Sequence, residues 1–127
     1  MNISAAAKAA DLTVKTVRYY ADIGLVEPAG RTAAGYRHYD ASALRKLVFV
    51  RRARAFGFSV DECRDLLGLY QDQSRTSAEV KRIARARLEQ IEAKQRELQS
   101  LHDTLADLVN RCHGDARPDC PIIDHLA

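Results

Sequence analysis

A stretch of 35 residues without glycine or proline, residues 77–111, constrains the fold of this chain more than any other feature. Most of its residues favour helix, and at ~1.5 Å per residue the helix would be about 50 Å long. Apolar residues recur along it at heptad spacing: Ala84, Ile91, Leu98, Leu101, Leu105 and Leu108. This pattern predicts an antiparallel coiled coil between two copies of the chain, because the leucine stripe would otherwise remain in water. The alternative is a solvated connecting helix.

Charge is distributed unevenly between the two halves of the chain. Residues 1–70 carry 11 Lys and Arg against 7 Asp and Glu, whereas residues 71–127 carry 9 against 10. A basic front half and a near-neutral back half indicate a nucleic-acid-binding head joined to a partner-binding arm. The N-terminus has neither a signal peptide nor a transmembrane span, so we expect a cytoplasmic protein that does not bind membranes.

The first 26 residues have the pattern of a helix-turn-helix. Ser4 can cap a first helix, and Thr13 can cap a second helix that ends at Gly24. Two short helices joined by a tight turn are typical of this motif, although they also occur in other helical proteins. The outward side of the second helix is expected to carry Lys15, Thr16, Arg18, Tyr19 and Tyr20.

A short β-hairpin, or wing, is predicted between residues 27 and 40. Glycine and proline interrupt any helix there, and residues 36–39 alternate in the manner of a strand. The hairpin would carry Arg31, Arg37 and two tyrosines. Arginine guanidinium groups and tyrosine hydroxyls are suitable donors to backbone phosphates.

The rest of the chain reads as helices separated by polar breaks. Asp40 can cap a helix through Phe56, and Ser59 with Glu62 forms a capping-box pattern for a helix over residues 60–70. The predicted organisation is a DNA-binding domain over residues 1–70, a linker over 71–76, a dimerisation helix over 77–111, and a metal-binding loop with a short final helix over 112–127.

Two cysteines in the C-terminal segment form a candidate metal site. Cys112 and Cys120 lie eight positions apart and bracket a loop that contains Gly114 and Pro118. Two thiolates suit a soft monovalent ion such as Cu(I), whereas Zn(II) prefers four ligands. Two ordinary thiols or a reversible disulfide are the alternatives. The third cysteine, Cys63, lies in a helical pattern and is interpreted as a structural thiol.

The chain resembles the MerR family of bacterial transcriptional regulators. The resemblance covers nearly the whole chain and includes the segments LTVKTVRYYADIGLVEP, GYRHYD and LVFVRRARAFGFSVDEC. Its most specific part is an R-x-Y-x-x-x-G-L run followed by a G-Y-R-x-Y wing. The matching residues are Arg18, Tyr20, Gly24 and Leu25, then Gly35, Tyr36, Arg37 and Tyr39.

This resemblance implies a mainly α fold with a winged helix-turn-helix head, an antiparallel coiled-coil dimerisation helix and a C-terminal metal-binding loop. It also implies a homodimer that binds double-stranded promoter DNA and distorts it when an effector binds, so that RNA polymerase can open the promoter. Such a protein is not an enzyme. The residues that the resemblance assigns to DNA binding are Lys15, Arg18, Tyr19 and Tyr20 in the reading helix and Arg31, Tyr36 and Arg37 in the wing.

Within the family, the C-terminal loop is most similar to that of the copper(I)-responsive, CueR-like branch, which implies Cys112 and Cys120 as metal ligands. Ser77 stands where the zinc- and mercury-responsive branches have a cysteine, which favours Cu(I), Ag(I) or Au(I). The implied targets are copper efflux and detoxification genes. A divalent-ion sensor that also uses His113 and Asp119 is the nearest alternative. A copper-carrying thiol protein is another, although such a protein does not need a basic winged head.

Overall fold

The computed structural model describes all residues of the chain, 1–127, as six helices and one two-stranded antiparallel sheet. This confirms the predicted mainly helical architecture with a helix-turn-helix, a small wing and one long helix. The elements in chain order are α1 (Ile3–Ala10), α2 (Val14–Asp22), β1 (Gly30–Arg31), β2 (Arg37–His38), α3 (Ala41–Ala55), α4 (Val60–Gln71), α5 (Ser77–Arg111) and α6 (Pro121–Leu126). The chain divides into two compact units, Met1–Ala84 and Arg85–Ala127.

The helix-turn-helix consists of α1 and α2. The cap of α1 is Asn2, whose Oδ1 accepts a hydrogen bond from the Ala5 N–H at 2.8 Å, so the predicted Ser4 cap is wrong. Asparagine is as good a cap as serine, and its earlier position lets the helix begin before Ser4. Thr13 caps α2 as predicted, because its Oγ1 accepts from the Thr16 N–H at 3.1 Å.

The wing is shorter than the sequence pattern predicted. Its two strands form only two residue pairs, one of which joins Arg31 to Arg37. Gly35 occupies the turn at φ 85°, a left-handed conformation that glycine adopts without steric cost. Tyr36 lies outside the ladder, and the fully buried Tyr39 follows the second strand and belongs to the core.

Helices α3 and α4 begin at the predicted caps. The Asp40 Oδ1 accepts from the Ala43 N–H at 2.8 Å. The capping box of α4 is complete: the Ser59 N–H donates to Glu62 Oε1 at 2.9 Å, and the Glu62 N–H donates to Ser59 Oγ at 3.1 Å. Each bond satisfies a backbone donor that a helix end leaves without an intrahelical partner.

A single hydrophobic core holds the first unit together. Its largest fully buried side chains come from α2, the segment after α2, the segment after the wing, α3 and α4: Val17, Val26, Tyr39, Leu47, Val50 and Cys63. The burial of Cys63 confirms its interpretation as a structural thiol. Ile83, in the second turn of α5, is also buried in this cluster, so the start of the long helix packs with the head.

The long helix α5 has the predicted bounds, and α6 begins at Pro121 as predicted. Proline is tolerated at that position because the first N–H groups of a helix have no intrahelical partner. No helix of the chain is both long enough and apolar enough to cross a membrane.

The capping box gives a test of the fold. We expect Ser59→Ala to lower the free energy of unfolding by about 1 kcal/mol, because it removes the acceptor of the Glu62 N–H. Urea unfolding at fixed protein concentration measures the change. Ser100→Ala, at an exposed position inside α5, is the matched control and should be neutral or slightly stabilising. Equal effects of the two substitutions would contradict the assigned role of the cap.

Candidate nucleic-acid interface and metal site

The outward face of α2 carries polar and basic side chains. Lys15, Arg18 and Tyr19 are exposed, and half of the Tyr19 surface is accessible. They lie on a helix of nine residues whose inner face contributes Val17 to the core. This arrangement can present donors to a DNA groove, and we refer to α2 as the recognition helix.

Tyr20 does not lie on that face. Its side chain is 6% exposed and packs in the core, so the expectation that it points outward is wrong. Burial raises the pKa of its hydroxyl, an effect that Arg54 partly offsets by its charge and by a hydrogen bond. Helical spacing rotates Tyr20 by about 100° from Tyr19 and places it near the direction of Val17, three positions earlier.

The wing presents Arg31 and Tyr36 to solvent. The Arg31 Nη1 donates to the Gly35 carbonyl at 2.8 Å across the turn, and Tyr36 is 72% exposed. The turn itself is held by the Thr32 N–H, which donates to the Tyr36 carbonyl at 2.7 Å. The two predicted phosphate donors are therefore at the surface.

Arg37 is less exposed than Arg31, although the sequence predicted the same phosphate-binding role for both. Its Nη2 donates to Asp22 Oδ1 at 2.9 Å, and its side chain is only 25% exposed. It lies beside Tyr39, whose pKa is raised by burial and lowered in smaller part by the charge of Arg37. No role for Asp22 follows from the sequence pattern, in which its one signal is an acidic residue on an otherwise basic recognition helix.

A second arginine holds the same end of the recognition helix. Arg64, on α4, donates to the Ile23 carbonyl at 3.1 Å and to the Gly24 carbonyl at 3.2 Å. These carbonyls follow the last residue of α2, where positive charge is favoured by the helix dipole. Sequence reasoning missed this contact because the partners are 40 and 41 residues apart.

The two C-terminal cysteines lie together. Their Sγ atoms are 3.6 Å apart, and both residues are half-buried. Cys112 closes the end of α5 through its N–H, which donates to the Leu108 carbonyl at 3.1 Å, and Cys120 immediately precedes α6. The loop between them therefore folds back on itself, helped by Gly114 at φ 66°.

Hydrogen bonds and nearby ion pairs surround the two thiols. Hydrogen bonds lower the pKa of the Cys120 thiol, the largest effect coming from the Ile123 N–H and the next from the Cys112 thiol. The neighbouring arginines, Arg111 and Arg117, pair with carboxylates. Arg111 pairs with Asp107 at 3.1 Å and Arg117 with Asp115 at 2.8 Å.

The structure fits a site with two sulfur donors. His113 and Asp119 are exposed, and no three His, Cys, Asp or Glu side chains form a group that could hold a metal ion. Two thiolates without a third donor are suited to a soft monovalent ion. Cys112 and Cys120 would hold such an ion through their two sulfurs.

Most of the leucine stripe of α5 is exposed in the single chain. Leu98, Leu101 and Leu105 are each more than half accessible, whereas Leu108 is only 5% exposed. The buried cluster of the first unit does not include Leu108. Ser77 is the first residue of α5 and is exposed.

The sequence and the fold of this chain are similar to those of known transcriptional regulators. Residues 1–69 match the family described as MerR HTH family regulatory protein, and residues 44–108 match the family described as MerR, DNA binding. The chain therefore belongs to the MerR family of helix-turn-helix regulatory proteins and is a transcriptional regulator, not an enzyme.

Individual relatives span the whole chain. It is 51% identical over 127 residues to the HTH-type transcriptional regulator HmrR of Rhizobium leguminosarum bv. viciae, covering 98% of that protein. It is 46% identical over 127 residues to the heavy metal-dependent transcription regulator 2 of Rhizobium meliloti, covering 86% of that protein. The crystal structure of the regulator PbrR691 from Ralstonia metallidurans CH34 in complex with lead(II) superimposes with a TM-score of 0.84 at 35% identity, covering 100% of this chain and 99% of PbrR691.

The comparisons confirm the family and do not single out the copper branch. The regulator CueR of Salmonella typhimurium is 44% identical over 127 residues, with 100% of this chain and 92% of that protein covered. This identity is lower than that to HmrR. The copper(I) assignment therefore remains a proposal that depends on the thiol pair.

The thiol geometry predicts how the cysteines react. Because the pKa of Cys120 is lowered, its thiolate forms at lower pH than that of an ordinary thiol. As the pH is raised, the increase in its rate of alkylation by iodoacetamide should therefore begin at a lower pH than for an ordinary thiol. Cys63 should resist modification because it is fully buried and burial raises its pKa. Mass spectrometry of the metal-free protein across a pH series measures both. Equal rates at Cys63 and Cys120 would contradict the described environments.

Proposed function

We propose that this protein is a dimeric, metal-responsive transcriptional activator that binds promoter DNA and senses Cu(I), with Ag(I) or Au(I) as possible substitutes. The observation that carries the metal proposal is the pair of sulfurs 3.6 Å apart without a third ligating side chain beside them. The family membership supports the DNA-binding role. The proposed target genes are those for copper efflux and detoxification.

The proposed DNA contacts come from α2 and the wing. Lys15, Arg18 and Tyr19 would enter the groove, and Arg31 and Tyr36 would donate to phosphates beside it. Their exposure supports this assignment. The buried Tyr20 would support the recognition helix from the core. The two heads of a dimer would bind two half-sites, since symmetric proteins read symmetric DNA.

The exposed leucine stripe supports the homodimer. Leu98, Leu101 and Leu105 recur at coiled-coil spacing, and each is more than half accessible in the single chain. An apolar stripe of this kind favours a second helix that covers it. A second copy running antiparallel would supply an identical stripe. In such a dimer the exposed Ser77 of one protomer would lie near the thiol loop (residues 112–120) of the other. The serine hydroxyl would add no third thiolate there.

The burial of Leu108 suggests how metal binding changes the packing of the dimerisation helix α5. Cys112 is bonded to the Leu108 carbonyl, and we infer that the segment containing Cys120 and α6 covers the Leu108 side chain, which is buried in the single chain. Capture of an ion by both thiolates would order this segment and change its packing on the stripe. We propose that this change shifts the two DNA heads, so that the bound promoter is distorted and RNA polymerase can open it. The driving force is the difference in contact free energy between the two states.

A divalent-ion sensor is the second candidate. The similarity to PbrR691, which was solved with lead(II), favours it. In that case His113 and Asp119 would have to move to the thiols, because no group of three possible ligand side chains is formed in the structure. The two-sulfur arrangement favours the monovalent ion.

X-ray absorption on the anaerobic protein with one Cu(I) per protomer distinguishes the two candidates. We expect two sulfur scatterers and no nitrogen shell, because Cys112 and Cys120 are the available soft donors. Loss of Cu(I) to a competing chelator, combined with tight Zn(II) or Pb(II) binding, would favour the divalent sensor. Cys63→Ala is the matched control, and it should leave the absorption spectrum unchanged because Cys63 is buried in the head.

Two variants should separate sensing from DNA binding. Cys112→Ser should abolish metal-induced transcription in vitro while operator affinity stays within about twofold, because the thiol loop lies outside the head. Arg18→Ala should keep the metal site and weaken operator binding by about 1–3 kcal/mol, the range for a well-placed groove contact. Loss of operator binding in Cys112→Ser would contradict this division of roles.

A further inference from the structure

We propose that Asp22 and Arg37 form an ion pair that fixes the wing to the recognition helix, so that both are positioning residues for DNA binding. This inference rests on the proposed DNA-binding function and reassigns Arg37, which the family resemblance had placed among the phosphate donors. Asp22 is the last residue of α2, and Arg37 is the first residue of β2.

The geometry of the pair is that of a strong contact. The Arg37 Nη2 lies 2.9 Å from Asp22 Oδ1, a length typical of a charge-assisted hydrogen bond. The guanidinium is turned towards the protein: the Arg37 side chain is 25% exposed, and its second terminal nitrogen is buried. Arg31, its neighbour in the β-ladder, is exposed. Arg31 therefore presents its side chain to solvent, whereas Arg37 is held against the protein.

The wing needs such a contact because its own structure is minimal. Two residue pairs make up the ladder, and an isolated two-stranded hairpin is marginal in water. Tyr39, fully buried after β2, anchors one end of the hairpin in the core. The ion pair attaches β2 to the recognition helix and so sets the position of Arg31 and Tyr36 relative to that helix.

The end of the recognition helix is a fixed point for this attachment. Arg64 donates to the carbonyls of Ile23 and Gly24, the two residues that follow Asp22. The last turn of α2 is thus held by α4 through one arginine and holds the wing through another.

The charge of Asp22 makes the proposal testable, because the proposal and its alternatives predict opposite changes in DNA affinity when the carboxylate is removed. A carboxylate on the DNA-binding face repels phosphates, so its removal strengthens binding if it has no other role. Its removal would also release Arg37 for a phosphate if Arg37 were a direct contact. If the pair positions the wing, removal of the carboxylate weakens binding, although the head becomes more positive.

The first experiment compares wild type and Asp22→Asn by fluorescence anisotropy, on a labelled duplex that the wild-type protein has selected from a random-sequence library. We expect binding weaker by about two- to fivefold at fixed salt, the most that the loss of a partly exposed ion pair supports. Unchanged or tighter binding would overturn the proposal. Failure of the wild type to select any duplex would contradict the proposed function itself.

A charge swap provides the rescue. Arg37→Asp should bind poorly, and combination with Asp22→Arg should recover most of the lost affinity, because the swapped pair can reform at unchanged net charge. A swap that binds as weakly as Arg37→Asp would show that Arg37 acts on phosphate directly and would overturn the proposal. Thermal unfolding followed by circular dichroism should change little in Asp22→Asn, because a partly exposed ion pair contributes little to stability.

Discussion

The packing of apolar side chains against α3 is the interaction on which the DNA-binding head depends. Leu47 and Val50 of this helix are fully buried, and α1 and α4 both pack against it. The recognition helix is joined to this assembly through Val17 and Tyr20. Because the head is small, each of these contacts carries a large share of its stability. The polar contacts at the surface orient helices that the core has already packed together.

Not all positive charges of the head are directed at a ligand. Arg37 and Arg64 hold the end of the recognition helix, and Arg54 donates to the Phe58 carbonyl at 2.6 Å. Lys15, Arg18 and Arg31 remain exposed. A count of basic residues therefore overstates the number of phosphate contacts that a small head can make. The arginine fork explains the internal use, since it can satisfy a carboxylate or two carbonyls at once.

The thiol loop is a locally organised structure. The Asp115 carboxylate accepts hydrogen bonds from the Arg117 backbone and side chain at 2.9 Å each, and the loop brings Cys112 within 3.6 Å of Cys120. The Asp115–Arg117 contacts therefore hold the turn between the two cysteines. Leu108, in the last turn of α5, is only 5% exposed in the single chain, whereas Leu98, Leu101 and Leu105 are each more than half exposed.

The amino-acid sequence by itself determined the helices, the wing and the candidate thiol pair, because these depend on local signals. Heptad spacing and the absence of breakers predicted the bounds of α5, and the Ser59–Glu62 capping box predicted the start of α4. The tertiary structure decided the pairing of Arg37 with Asp22 and the contact of Arg64 with the two residues that follow α2. The physical reason is that these depend on partners 15 to 41 residues away, and local propensity carries no information about such partners. Leu108 shows the same limit, since heptad spacing predicted its face of the helix but not that it is buried within the single chain.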